Sequence, residues 1–152
     1  MVKIDNVLLI TDFSENARHA LGYARAMAER FDSKLHILHV IGDPTSYIYG
    51  EAKGDFLAME KRARIKAREE IDKYRPFVGD LPNYEMIIKE GGVLDRVLET
   101  IEEKHIDNVV MGSQGGGVLR NLLTGSIADK ITRGVRCHVW IIRPQSQVRP
   151  SI

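Results

Sequence analysis

The chain has 152 residues, enough to bury a real core in one domain and too few for two. Its 22 Lys and Arg stand against 21 Asp and Glu, a formal charge of +1, so no global field draws it to nucleic acid or to an anionic membrane surface. A single cysteine, Cys137, cannot form an internal disulfide, and no Cys/His cluster has the spacing of a zinc site.

Short apolar runs alternate with longer stretches of helical period, the pattern of parallel strands joined by crossover helices. Residues 7–11, VLLIT, read as a first strand, apolar enough to be covered on both faces and therefore central. The run stops at Asp12, too short for a signal or membrane segment, and the expectation is a cytoplasmic protein with no membrane partner. A helix over about 17–31 follows, with Ala17, Leu21, Ala24, Ala28 and Phe31 as its apolar stripe and Ser14 available as a cap.

Residues 35–41, LHILHVI, form the second strand, and the Gly, Pro, Ser and Asp content of 42–55 reads as a long loop of the kind that often serves function. A charged helix over about 56–74 has Glu60 with Arg64 and Glu69 with Lys73 at i, i+4, and should stop at Arg75-Pro76. Its acids, interspersed among the basic residues, argue for a solvated face and against a nucleic-acid stripe. The third strand is 84–89, the next helix about 93–104 with Val93, Leu94, Val97, Leu98 and Ile101 inward, and the fourth strand 108–112. A glycine-rich segment, a helix over about 126–133 and a fifth strand over 137–143 complete residues 1–144, read as a single domain, and 145–152 read as a loose tail.

Five strands and four helices in strict alternation imply an α/β three-layer sandwich around a five-stranded parallel sheet, order 3-2-1-4-5. In that order the winding reverses between the first and fourth strands and opens a ligand crevice at their carboxyl ends. Asp12 and Gly112 stand on its two lips. Gly112, Gly115 and Gly125-Ser126 follow the spacing G-x-x-G-x(9)-G-S, with Gly116 and Gly117 adding backbone freedom. The free N–H groups and positive end of the last helix suit an anion, so the segment outlines a phosphate site.

The segments VLLITDFSENARHAL, GGVLDRVLETIEEKHIDNVVMGSQG and GSIADKITRGVRCHVWIIR together resemble the universal stress proteins, UspA-like domains of the adenine-nucleotide-binding kind. The resemblance covers nearly the whole chain and implies an adenine-nucleotide alpha-hydrolase-like, Rossmann-like fold. It implies ATP, ADP or AMP as ligand, with phosphate contacts at Gly115, Gly125, Ser126 and the neighbouring Ile127, and Gly112 beside the ribose after Met111. It also implies that Asp12, next to Thr11, contacts the nucleoside and that Val40 borders the adenine through its backbone. A homodimer through residues 137–143 is the expected assembly, with a protein client of unknown identity. Two departures stand out: Gln114 occupies a place where Arg or His is common, keeping a donor and losing the charge, and Cys137-His138 replaces a common Cys-Pro.

Several of these residues have a plainer reading. The glycines also suit a flexible connection, Ser126 with Asp129 fits a capping box without any ligand, and Asp12 fits a turn that satisfies local N–H groups. His36 and His39 fall on opposite faces of a strand, which disfavours a shared metal, and Cys137 reads as inert packing. Trp140 is core or interface, and an exposed edge strand favours the interface. No Walker lysine, Ser-His-Asp set or paired acids are legible, so hydrolysis is at most slow, and Mg²⁺ would sit on the phosphates with its waters. The expected role is a nucleotide-responsive regulator of the stress response. The alternatives are a dimeric interaction module that binds no nucleotide and a slow ATPase.

Overall fold

A computed structural model describes residues 1–42, 53–113 and 127–144, the side chains of 53–55 and 127–130 excepted. The elements in chain order are β1 Asn6–Ile10, α1 Glu15–Phe31, β2 Lys34–Ile41, α2 Lys53–Asp72, α3 Arg75–Val78, β3 Tyr84–Glu90, α4 Val93–Glu103, β4 Asn108–Gly112, α5 Ile127–Gly134 and β5 His138–Ile142. All strand pairs are parallel, in the order β3-β2-β1-β4-β5. This is the doubly wound α/β sheet expected from the alternation, with its winding reversed between β1 and β4.

The two-residue period of a strand sorts the apolar runs into two cores. Val7 and Leu9 of β1 join Leu35 and Ile37 of β2 under Ala20, Leu21, Ala24 and Ala28 of α1 and under Tyr74 and Val78. Leu8 and Ile10 join Leu38, Val40, Val109 and Met111 under Val93 and Val97 of α4 and Ile131 of α5. Four alanines, Ala17, Ala20, Ala24 and Ala28, are buried on the inner face of α1, small side chains that suit close packing on the sheet. Ser14 caps it as expected, its Oγ accepting from Ala17 N at 3.1 Å, so the helix begins at Glu15, earlier than the stripe alone suggested.

Several expectations need correction. Phe31 ends the stripe of α1 but is 42% exposed, since the chain there already turns toward β2 through Asp32 in the left-handed region (φ 54°). The expected loop over 42–55 gives way to helix at Lys53, and 43–52 lie outside the described residues. The charged helix ends at Asp72, and Pro76 opens the short α3, absent from the four expected helices, instead of merely stopping the previous one, because a missing N–H costs nothing in a first turn. Arg64 reaches across to Glu90 on β3, and Lys73 pairs with Glu70 at 2.6 Å, so neither makes its expected i, i+4 pair. On α4, Leu94, Leu98 and Ile101 are only partly buried while Thr100 is fully buried, its hydroxyl donating to Arg96 O at 2.7 Å. The expected tail, 145–152, is outside the described residues.

At the end of β4, Gly112 packs against the first turn of α1. A Cβ there would stand 2.6 Å from Asn16 Nδ2 and 3.3 Å from the Asn16 backbone carbon, closer than a side chain can sit without displacement. At the opposite end of the sheet, His36 Nδ1 lies 2.6 Å from Glu85 Oε1, and Lys104 Nζ stands 2.9 Å from the same oxygen. Burial works against the Glu85 charge, but hydrogen bonds from Lys104 and His36, and their charges, hold its carboxyl at about 2. Burial also lowers the His36 and His39 imidazoles below their ordinary value.

Gly112→Ala is expected to lower unfolding stability by about 1–3 kcal/mol through overpacking against α1, read as a shift in the urea midpoint at unchanged slope. A lowered pKa in the folded state means stability present at higher pH and lost on acidification, and the sign is the same for all three groups. The urea midpoint should therefore fall in two stages, first as pH drops below the ordinary histidine value of 6.5 and again below the ordinary carboxylate value of 4.5. Replacing His36 and His39 together by Asn removes the first stage; a midpoint that rises on acidification would contradict the assignment.

Candidate functional site

β1 ends in a turn held from below. Thr11 is buried, its N–H donates to Leu38 O at 2.9 Å, and its hydroxyl lies 2.6 Å from the Tyr74 hydroxyl. Phe13 N donates to the same Thr11 Oγ1 at 3.0 Å. Phe13 itself has φ 66°, an uncommon conformation for a bulky residue. Its ring lies 4.2 Å from the His39 ring and meets the Tyr74 ring edge-on at 5.6 Å, contacts that hold the strained turn in place.

Asp12 projects from this turn with two different oxygens. Oδ1 accepts from Ser14 N at 3.0 Å, which closes the local turn and sets the cap of α1. Oδ2 is buried and has no hydrogen-bond partner among the described residues. The plainer reading of Asp12 therefore accounts for one oxygen, and the second is left for a donor that the described chain does not supply.

β2 continues past the end of β1. Lys34 N donates to Asp5 O and Leu38 O accepts from Thr11 N, so the even residues of β2 turn their main chain toward β1. Leu35 N donates to Asn83 O and Ile41 O accepts from Gly91 N, so the odd residues turn theirs toward β3. Val40 is even. Its N–H and C=O point to the β1 side at a level where β1 has already ended, and Thr11 O is occupied by His39 Nδ1 at 2.8 Å. A donor and an acceptor on one edge are thus presented to the crevice.

A cavity of about 270 Å³ lies there, lined by Asp12, Phe13, His39 and Val40 from the sheet side and by Ala63, Lys66, Ala67 and Glu70 from α2. A second, of about 320 Å³, adjoins it through Ile41, Gly42 and Ala63 and ends at Arg64 and Glu90. Ligand pockets usually begin near 300 Å³, so the first is of a size for a flat base with little more. The helix side of this wall was not legible in the sequence. Lys66 and Glu70 share a helix face, but nothing in their spacing says which sheet edge that face meets.

The other lip is β4. Met111 is 2% exposed and its side chain belongs to the core, so only its main chain can take part in a site. Gly112 follows at the strand end, and Ser113 N donates to Ile142 O at 2.7 Å, the last rung of the β4–β5 ladder. Gly115, Gly125 and Ser126 lie outside the described residues, as does Gln114, and Ile127 is the first residue of α5, its side chain undescribed. The structure thus brings Thr11, Asp12 and Val40 together, with Met111 and Gly112 at the end of the strand adjoining β1. Among the described residues, no group of three or more His, Cys, Asp or Glu side chains could hold a metal.

β5 is an edge strand. Trp140 Nε1 donates to Asn108 Oδ1 at 2.8 Å while half of the indole stays exposed, and Ile141 beside it is 43% exposed. Burial pushes the Cys137 thiol upward, which suits packing and not nucleophilic attack. No helix among the described residues is long and apolar enough to cross a membrane.

Comparison with known proteins agrees with this architecture. A universal stress protein of Methanocaldococcus jannaschii is 24% identical over 140 residues, covering 90% of this chain and 81% of the relative. Among solved structures, UspA from Lactobacillus plantarum superposes with a TM-score of 0.79 at 22% identity, over 94% of this chain and all of that one. The universal stress protein of Archaeoglobus fulgidus solved in complex with dAMP superposes with a TM-score of 0.62 at 17% identity, over 93% and 99% of the two chains. The sequence profile of the universal stress protein family matches residues 3–143, and the chain belongs to that family.

Proposed function

We propose that this protein binds an adenine nucleotide at the carboxyl ends of β1, β2 and β4 and acts in the cytoplasm as a nucleotide-responsive regulator in the stress response. The observation that carries the reading is Asp12 Oδ2, a buried carboxylate oxygen with no partner among the described residues, at the wall of a base-sized cavity. A buried acceptor left without a donor costs about 1–3 kcal/mol, and a ribose hydroxyl relieves that cost on binding.

The chemistry of the wall suits adenine. In this reading the Val40 N–H would donate to a ring nitrogen and the Val40 carbonyl would accept from the exocyclic amino group beside it. The dAMP complex of the Archaeoglobus fulgidus relative supports the same class of ligand. The spacing of Gly112, Gly115, Gly125 and Ser126 ahead of α5 supports a phosphate cradle, in which main-chain N–H groups and the helix N-terminus face the anion. ATP, ADP or AMP would fit this description, and Mg²⁺ would be held mainly by the phosphates and water. In this reading the nucleotide acts by favouring one conformation over another through differential binding. The chain over 42–55, adjoining both cavities at Gly42, is the proposed responsive surface toward a protein client.

The exposed Trp140 and Ile141 on a strand edge with no neighbour among the described strands support a homodimer through β5, since a second copy would cover the apolar side chains and the backbone groups of that edge.

Nucleotide released from denatured protein, identified by chromatography, and calorimetric titration of stripped protein with Mg·ATP test the binding. Asp12→Ala should weaken it by about tenfold or more, the loss of one charged hydrogen bond, and Gly125→Val should abolish it. No released nucleotide and no heat would leave the dimeric interaction module as the function. Light scattering should give twice the 17.2 kDa chain mass, and Trp140→Glu with Ile141→Lys should return the monomer; a monomeric wild type would exclude the dimer.

A further inference from the structure

β1 and β2 stop pairing after Thr11, although both chains run on. With Ile10 opposite Leu38, the next rung of a parallel ladder would join the Val40 N–H to Thr11 O. That rung is missing. Thr11 still donates its N–H to Leu38 O at 2.9 Å, but its carbonyl is taken by a side chain, His39 Nδ1, at 2.8 Å. Because a carbonyl only accepts, this contact fixes the proton of the neutral imidazole on Nδ1.

We propose that His39 is the positioning residue of the base site: its Nδ1–H replaces the Val40 N–H at the Thr11 carbonyl and so leaves the Val40 main chain open for a purine edge. The inference deepens the nucleotide reading and takes its ligand from it. The substitution of one donor for another is what makes an open edge affordable, since the buried Thr11 carbonyl remains satisfied. The same ring stacks on Phe13, whose left-handed backbone directs Asp12 toward the cavity. One imidazole therefore supports both groups that face the nucleoside, the Val40 edge by releasing it and Asp12 by holding the turn that carries it.

Amide hydrogen exchange by NMR on the nucleotide-free full chain reads the main-chain claim directly. The Val40 amide should exchange at least about tenfold faster than that of Leu38, which sits inside the ladder, and Mg·ATP should slow it. In His39→Leu the Val40 amide should close on Thr11 O and slow by about tenfold, with Mg·ATP affinity falling about tenfold. His39→Asn, whose side-chain N–H falls near the place of Nδ1, should keep both properties close to wild type. A residue that merely fills space would destabilise both variants alike and leave the ratio of Val40 to Leu38 exchange unchanged.

A slow Val40 amide in the wild type, or an Asn variant that behaves as the Leu variant does, overturns the proposal. A wild type that binds no nucleotide yet shows the fast Val40 amide and its slowing in His39→Leu overturns the nucleotide reading and upholds the role of His39. Should His39→Leu fail to fold, the wild-type exchange ratio and its response to Mg·ATP still decide.

Discussion

The last rung between β1 and β2, Thr11 N to Leu38 O, is the point on which the candidate site depends. Above it β2 continues and β1 turns away, so a strand edge normally consumed by its neighbour faces a cavity. The turn is secured by contacts beneath it: Thr11 to the Tyr74 hydroxyl, Phe13 N to the Thr11 hydroxyl, and the Phe13 ring between those of His39 and Tyr74. Each of these groups is buried or half-buried, and the Thr11 carbonyl and hydroxyl both find partners. The strain at Phe13 is tolerated because the surroundings over-determine it.

The same economy applies across the crevice. Gly112 is demanded first by the helix beside it, because Asn16 occupies the space where a Cβ would stand. The absence of a side chain at that strand end then also leaves the main chain accessible. A packing requirement thus falls on a residue that the glycine spacing also marks and that the proposed site needs bare. Asp12 shows the complementary division, one oxygen spent on the local turn and the other left over.

Much of this was legible from local pattern. The strand β1 and the VVM run of β4 are apolar because both their faces are covered, and that property is visible residue by residue. The cap at Ser14, the sheet order and the placing of Asp12 and Val40 at strand ends follow from the alternation of elements and from right-handed crossovers. The helix α3 was not legible, because proline reads equally as a stop and as a first-turn residue. The partners of Arg64 and Lys73 were not legible either, since exposed charges on a helix choose among several neighbours at little energetic difference. His39 read as structural because its two roles, donor to Thr11 O and stacking partner of Phe13, depend on residues 28 and 26 positions away.

The amino-acid sequence by itself determined the period of each element, hence the strands, the helices, their order in the sheet and the ends at which a ligand could sit. Those properties are local or follow from chain handedness, and composition and spacing carry them. Only the tertiary structure decided which hydrogen-bonding groups are left over among the described residues: Asp12 Oδ2 without a partner, the Val40 edge without its ladder, the Thr11 carbonyl given to a histidine. A leftover donor or acceptor is defined by everything else being satisfied, and that sum exists only once all the neighbours are in place.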